Sequence, residues 1–431
     1  MKEATGKLAV MSVGLGAVTT TFITGTLMYR KGLTVPGGSV IEMAKIRVGR
    51  GDAKQYKKIK DIVPVAPMQS LEFAAWDIFE ENAYQAALHA DVLKQRDIDP
   101  VREELEAIKP LTAAFDKNFV TRLQGDNVKQ GTRWELVEQL RADIRNFKAE
   151  RGCDRAVVIW AASTEKYIPY NEAVHKNLAD LEAAMKANDC ENISPSMCYA
   201  YAAIAEGAPF VMGAPNLCID IPAMWDFAKQ QNVPIAGKDF KTGQTLMKTV
   251  LSPMLRTRCL GLSGWFSTNI LGNRDGEVLD APENFKTKEV SKLGVIDTIL
   301  KADEQPELYG DIFHKVRINY YPPRGDAKEG WDNLDIFGWM GKDYGMQIKV
   351  DFLCRDSILA APLMLDLVLC ADLALRAGWS GIQTWMSFYL KSPMHNYVEL
   401  EEPIHDLFQQ YVLLKNAIRV MGGYEADEEL D

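Results

Sequence analysis

The residues with most chemistry to offer in this chain are lysines set among carboxylates. Lys288 and Lys292 stand four residues apart, a spacing that puts both ammonium groups on one face of a helix. Ahead of them runs Asn269-Ile270-Leu271-Gly272-Asn273-Arg274-Asp275-Gly276, the densest polar stretch in the chain, and then Asp280-Ala281-Pro282. Asp280 is expected to cap that helix and Pro282 to occupy its first turn. Lys238 and Lys241 lie in a glycine-bounded turn with Asp239 and Thr242, Lys328 follows a double proline in Arg324-Gly325-Asp326-Ala327-Lys328, and Lys391 ends the apolar run Phe388-Tyr389-Leu390. A lysine among apolar residues either finds an anion or gives up its proton more readily, which suits it to acid–base work. Taken singly, each reads first as a surface lysine. Together they point to a site built to meet negative charge.

The framework that must hold them is large. At 431 residues the chain exceeds what one hydrophobic core usually organises, so two domains, or one with a large insertion, are expected. Apolar residues at 47% and charged residues at 25% are a globular mixture. A net charge of −10 argues against nucleic acid and anionic membrane surfaces as partners. The seven cysteines show no CxxC spacing and the five histidines no HExxH, so no metal site is expected, and scattered thiols fit a reducing, cytoplasmic setting. Residues 8–29 carry no charge over 22 positions, yet three glycines and five threonines make them too polar for a membrane span. They read instead as a buried strand, a glycine turn and a helix.

That order, Lys7–Val13 followed by Gly14-Leu15-Gly16-Ala17, is the context a dinucleotide-binding turn requires. The signal is weak by itself, because Thr19 stands where the third glycine of GxGxxG belongs, and no acid stands about 20 residues further on. Strand–helix alternation continues through Glu72–Trp76, Arg133–Glu150, Arg155–Trp160, Asn177–Ala187, Pro209–Met212 and Val233–Ala236, which reads as a doubly wound α/β domain with ligands at the strand C-terminal ends. After about residue 250 the texture changes. Val316–Tyr321 and Gln347–Leu353 suggest an antiparallel sheet in an α+β insertion, and Ile358–Leu375 a long apolar helix.

GNRDG, Leu279-Asp280-Ala281-Pro282 and Lys288-Glu289-Val290-Ser291-Lys292 resemble the signature of myo-inositol-1-phosphate synthases, with Arg274, Asp280 and Thr287 as departures. KDFKTGQT, PRGDAK, CRDSILAAPLMLDLVL and FYLKSPM match further blocks of that family in the same order, from Gly14 to about Pro393. The resemblance implies a Rossmann domain interrupted by a catalytic, tetramer-forming α+β domain, here 1–250, 251–360 and 361–431. It implies NAD-dependent conversion of glucose 6-phosphate to inositol phosphate through C5 oxidation, enolisation, aldol closure and re-reduction. By position it implies Lys288, Lys328, Lys391, Asp239, Asp275 and Asp356 as catalytic, and Lys292, Asn273 and Thr242 as phosphate-binding. Gly14, Gly16, Ala17, Asp77, Ala162, Thr164 and Gly213 then contact NAD, with Asp77 supplying the acid missing at its usual distance. The turn GLGAVTT departs from the GxGGNNG of many relatives, and Arg274 stands beside the phosphate-binding Asn273. A sugar-phosphate dehydrogenase that releases NADH, a Schiff-base aldolase and a non-catalytic NAD-binding protein are the competing readings.

Overall fold

The apolar run Lys7–Val13 can bury both its faces only inside a parallel sheet. The computed structural model, which describes residues 1–395 and 402–427 with the side chains of 289–293 outside that description, puts it there. In chain order the strands are β1 (Lys7–Val13), β2 (Lys45–Val48), β3 (Gln55–Lys58), β4 (Leu71–Asp77), β5 (Leu111–Thr112), β6 (Cys153–Trp160), β7 (Phe210–Met212), β8 (Pro234–Gly237), β9 (Gly261–Leu271), β10 (Phe313–Tyr320), β11 (Ala327–Phe337), β12 (Met346–Arg355) and β13 (Gly381–Ile382). The helices that bear on the site are α1 (Ala17–Arg30), α2 (Arg133–Arg151), α3 (Pro195–Ala205), α4 (Gly243–Thr257), α5 (Arg274–Leu279), α6 (Pro282–Leu300), α7 (Asp356–Arg376) and α8 (Leu407–Met421).

Seven strands make one wholly parallel sheet in the order β13-β8-β7-β6-β1-β4-β5. The order runs outward from β1 in one direction and from β6 in the other, so the topological switch lies between those two strands. A crevice for ligands opens there, beyond the strand C-terminal ends. Alternation along β1 supplies both cores. Leu8 and Val10 join Phe22 of α1 and Leu367 of α7 on one face, while Ala9, Met11 and Val13 join Leu140 of α2 and Tyr199 of α3 on the other. Helix α7 is the one helix among the described residues long and apolar enough to cross a membrane, but 72% of that stretch is buried in the fold. Residues 8–29 form β1, the glycine turn and α1, as the polar content of the stretch implies.

Residues 261–355 form a second, four-stranded sheet in the order β10-β9-β11-β12. It is mixed rather than antiparallel. Strand β10 runs parallel to β9, because α5 and α6 intervene and carry the chain back to the same end, as a parallel pair requires. Strands β9 and β11 escape a sequence reading, since glycine, asparagine and aspartate weaken their strand character. One face of this sheet packs Leu262, Trp265, Leu334 and Ile336 against Leu255 of α4 and Ile296 of α6. Positions 250 and 360 fall inside α4 and α7. The first of these leaves β8 to pack on β9 and β11; the second leaves β12 to pack on β6 and β8.

One local expectation fails for a steric reason. The residue before a proline is pushed out of the helical region. Pro282 therefore makes Ala281, with ψ 124°, the N-cap of α6, and Asp280 becomes the last, C-capping residue of α5.

Candidate active site

A cavity of about 430 Å³ opens at the switch point and runs from the glycine turn to the lysine cluster. Its first half is built from strand ends. Gly14 has φ +95°, and a Cβ there would meet the Ala162 backbone at 2.9 Å, so glycine alone lets the ends of β1 and β6 approach this closely. A Cβ on Gly16 would meet nothing. Gly16 begins α1 without a side-chain cap and no acid stands in the first turn, so the helix offers its first N–H groups and its positive end to an anion. Gly213 closes the floor: a Cβ would sit 2.3 Å from both Phe240 and the Trp160 carbonyl. Ala17, Ala162 and Thr164 complete this wall.

Asp77 ends β4, next to β1. Its Oδ2 accepts the Leu15 N–H at 2.6 Å and its Oδ1 the Phe79 N–H at 3.1 Å. Burial raises its pKa, and these N–H groups together with Arg274 pull it back down. An acid at the end of the strand beside β1, tied to the glycine turn, fits the ribose of a dinucleotide, and the uncapped helix start fits its pyrophosphate.

The second half holds the charges. Asp239, 2% exposed, takes left-handed backbone at φ +65° after β8 and accepts Lys288 Nζ at 2.9 Å and Lys391 Nζ at 3.4 Å on the same oxygen. The loop that carries Lys391 runs antiparallel to the loop after β8: Lys391 N–H donates to the Asp239 carbonyl at 2.7 Å, flanked by Lys238 and Ser392 bonded to each other on one side and by Lys241 N–H donating to the Tyr389 carbonyl on the other. Lys328, at the start of β11, donates to Asp356 Oδ2 at 3.3 Å at the start of α7. Asp275 and Asn273 enter from the start of α5, where Asn273 Oδ1 caps the Gly276 N–H at 3.1 Å, and Thr242 enters from the start of α4.

These pairings split the lysines electrostatically. Burial lowers the pKa of Lys391 to about 8, with Lys288 and Lys328 pushing the same way against Asp239 and Asp356. Burial acts on Lys288 too, but Asp239 and Asp275 outweigh it and hold the pKa above the usual lysine value; Asp356 does the same for Lys328. Asp356 is held well below the usual carboxylate range, its burial overcome by Lys328 and Lys391.

The structure thus gathers Lys288, Lys391, Asp239, Asp275, Asp356, Asn273 and Thr242 around one cavity with Gly14, Gly16, Ala17, Asp77, Ala162, Thr164 and Gly213. Lys328 does not line the cavity wall; it reaches the site through Asp356. Lys292 lies on α6, but its side chain falls outside the described residues. Arg274 turns away from the lysines, stacking 4.1 Å above Phe79 in the nucleotide half.

Four residues that the sequence did not assign to the site complete its frame. Asp326 accepts the Ser357 hydroxyl at 2.7 Å and Asn273 Nδ2 at 3.5 Å, joining α5 to α7; its place in PRGDAK was the available signal. Asn284 donates to the Thr164 carbonyl at 2.8 Å, and the neighbouring Thr287 donates to Glu165 at 3.0 Å, so the helix bearing Lys288 is bonded to the nucleotide wall. Glu165 lines the cavity with its pKa raised by burial to about 7, against the hydrogen bonds of Ser196; no spacing rule marks it. Among the described residues no cluster of three or more His, Cys, Asp or Glu is arranged to hold a metal ion.

A parallel sheet with its ligand crevice at the switch point, an uncapped helix start and a lysine–carboxylate pocket define a Rossmann-type nucleotide-dependent enzyme. The sequence model described as "Myo-inositol-1-phosphate synthase", an NAD-binding family, matches residues 8–419, and the chain belongs to that family. It is 63% identical to the inositol-3-phosphate synthase 1 of Bacteroides thetaiotaomicron, over 100% of this chain and 99% of that one. Against inositol-3-phosphate synthase 1 of Oryza sativa the identity is 33%, over 98% and 87%. The crystal structure of inositol-3-phosphate synthase from Caenorhabditis elegans superposes with a TM-score of 0.90 at 28% identity, covering 99% of this chain and 88% of that one. The cofactor of this enzyme is NAD.

Asp77→Ala removes the acceptor for the Leu15 N–H and the acid at the end of β4. NAD affinity is expected to fall about tenfold or more, since a bond to a charged group contributes about 1.5–3 kcal/mol. Titration calorimetry with NAD checks this, and unchanged affinity would remove Asp77 from the cofactor site.

Proposed function

We propose that this cavity converts D-glucose 6-phosphate to 1L-myo-inositol 1-phosphate, and that Lys288, Lys328 and Lys391 carry the chemistry. The supporting observation is the cluster itself: two carboxylates hold three buried lysines at the end of a dinucleotide crevice, in a chain whose full-length relatives are inositol-3-phosphate synthases. NAD, held by Gly14, Gly16 and Asp77, would supply a hydride acceptor that later gives the hydride back, so there would be no net redox change. Oxidation at C5, loss of a C6 proton, attack of C6 on the C1 aldehyde and reduction of the ketone each place negative charge on a sugar oxygen or require a proton to move. Lys288, kept protonated by Asp239, opposes that charge from a fixed position in a water-poor pocket, where a preorganised cation acts far more strongly than in water, and Lys328, kept protonated by Asp356, adds its field from behind that carboxylate. Lys391 sits closer to neutrality and is suited to receive the proton. Asp275 helps hold the lysine charges, while Lys292, Asn273 and Thr242 are assigned to the sugar phosphate.

Phosphorus NMR of a reaction with glucose 6-phosphate and catalytic NAD should show a new cyclic phosphate ester with no build-up of NADH absorbance. Accumulating NADH would instead mean a dehydrogenase. Lys288→Ala and Lys391→Ala should each lose turnover by about a thousandfold while NAD affinity stays within about twofold, because the loss of an oxyanion donor or a proton acceptor falls on the chemical step.

The pH dependence follows from Lys391. Below its pKa the amine is protonated and cannot accept a proton. The rate should therefore climb as pH rises through about 8 and level off above it. A profile of kcat/KM that is flat from pH 6 to 9 would exclude Lys391 as the base.

We also assign residues 251–360 to a catalytic and tetramer-forming domain. On the second sheet, the face turned from α4 and α6 and the adjoining hairpin expose Phe313 (68%), Trp339 (94%), Tyr344 (66%) and Leu353 (62%), a density of large apolar side chains that a partner copy would cover. Leu353→Arg should convert the assembly to smaller species by light scattering; an unchanged mass would place the interface elsewhere. Seven unpaired thiols support a cytoplasmic location, and the product's class suits the first step of inositol and inositol-lipid synthesis.

A further inference from the structure

Arg274 and the glycine turn are two of the places where this chain departs from its family's pattern, and the structure brings them to the same end of the cavity. The turn Leu15-Gly16-Ala17-Val18 offers backbone N–H groups but no side-chain amide at the start of α1. Arg274, reaching in from α5 of the other sheet, lines the cavity beside Gly16, Ala17 and Asp77. Its guanidinium does not float. The face stacks on Phe79 at 4.1 Å, and Nη2 lies 3.1 Å from His89 Nε2. The other ring nitrogen of His89 stands 2.9 Å from Glu81 Oε1, which fixes Nδ1 as the protonated nitrogen and leaves Nε2 to accept from Arg274. Arg274 is also near enough to Asp77 to draw that carboxyl's pKa down against its burial. No carboxylate lies within salt-bridge distance of the guanidinium among the described residues, so most of its five N–H donors still lack an anion.

We propose that Arg274 is a cofactor-binding residue of this chain, held by the Glu81–His89 relay and by Phe79 to contact the pyrophosphate of the dinucleotide in place of the side-chain donors its turn lacks. The assignment rests on the reading that the cavity binds NAD. A pyrophosphate at the start of α1 presents oxygens on the side opposite the helix, and a planar fork arriving from the second sheet is matched to two of them. The phosphate could instead be that of the sugar, or a 2′-phosphate on the ribose. The position favours the pyrophosphate, because Phe79 and His89 hold the guanidinium on the glycine-turn side, away from Lys288, Lys328 and Lys391.

The experiment uses the full chain with NAD, ADP, adenosine and NADP as binding probes in the absence of sugar, and a separate steady-state assay with glucose 6-phosphate. Arg274→Asn, which removes the charge and the fork, is expected to weaken NAD and ADP about tenfold, leave adenosine within about twofold, and flatten the salt dependence of NAD binding. Arg274→Lys keeps a charge without the fork and should fall between the two, which also covers the case in which the asparagine variant folds poorly. Equal losses for NAD, ADP and adenosine would reduce Arg274 to a packing role. A higher KM for glucose 6-phosphate with NAD affinity unchanged would move it to the sugar phosphate, and a loss seen only with NADP would move it to the ribose. Each of these overturns the assignment. Failure of the unaltered chain to bind NAD would overturn the cofactor reading itself, whereas equal NAD binding by the unaltered chain and the variants overturns only the part given to Arg274.

Discussion

Three ammonium groups cannot be buried side by side unless carboxylates are buried with them. Uncompensated, each would be driven to its neutral form by the cost of leaving water. Asp239 and Asp356 are the two anions that meet this need, and the protein's plan can be read from how they are placed. Asp239 follows the last long step of the parallel sheet, and Asp356 begins the helix that returns the chain to that sheet. The second sheet and its helices deliver Lys328 and Lys288 onto them. Lys288 lies closer to the shared Asp239 oxygen than Lys391 does and also feels Asp275, so burial lowers the pKa of Lys391 while Lys288 is held up. Charge balance, not local propensity, divides the site into groups that hold their protons and one that can exchange its own.

The same arrangement couples the two halves of the cavity. Helix α6 presents Lys288 toward Asp239 while Asn284 and Thr287, on its first two turns, bond the carbonyls of Thr164 and Glu165 at the end of the nucleotide wall. Position along the helix thus fixes one distance: that between the edge of the nucleotide crevice and the Lys288 ammonium. Asp326 plays the corresponding part for Lys328, by tying Asn273, Ser357 and the start of α7 together. Rigid elements carry these side chains, and hydrogen bonds from Asn284 and Thr287 to backbone and from Asn273 and Ser357 to Asp326 brace them, which keeps a constellation of charges from relaxing apart.

How much of this was legible in the sequence depends on the kind of signal. The Rossmann half is written in continuous apolar strands such as RAVVIW and in capped amphipathic helices, and those elements lie where periodicity puts them. The second sheet is written less clearly. GLSGWFSTNIL and AKEGWDNLDIF bury polar residues such as Ser267, Asn269 and Asp332 on the inner face, so the usual contrast between an apolar and a polar side disappears. The direction of β10 is a matter of connection, which no local window contains. Asp280 misled because capping preference points to an acid, whereas the proline two residues on dictates where the helix can begin. Individual lysines were ambiguous because whether a lysine is buried against an acid depends on loops that meet from distant parts of the chain; blocks in register, such as KDFKTGQT and FYLKSPM, pointed to Asp239 and Lys391, and the structure brings those two together.

Those two blocks meet as a short antiparallel ladder, residues 238–241 against 389–392, and this has a consequence for how the enzyme comes into being. The second block follows the whole of the second sheet and helix α7, so the ladder closes only over elements that precede it in the chain. Lys391 and Asp239 are 152 residues apart, whereas Asp77 and the Leu15 N–H of the glycine turn are 62 apart. The lysine pocket therefore carries the larger cost of loop closure, and the nucleotide turn the smaller one.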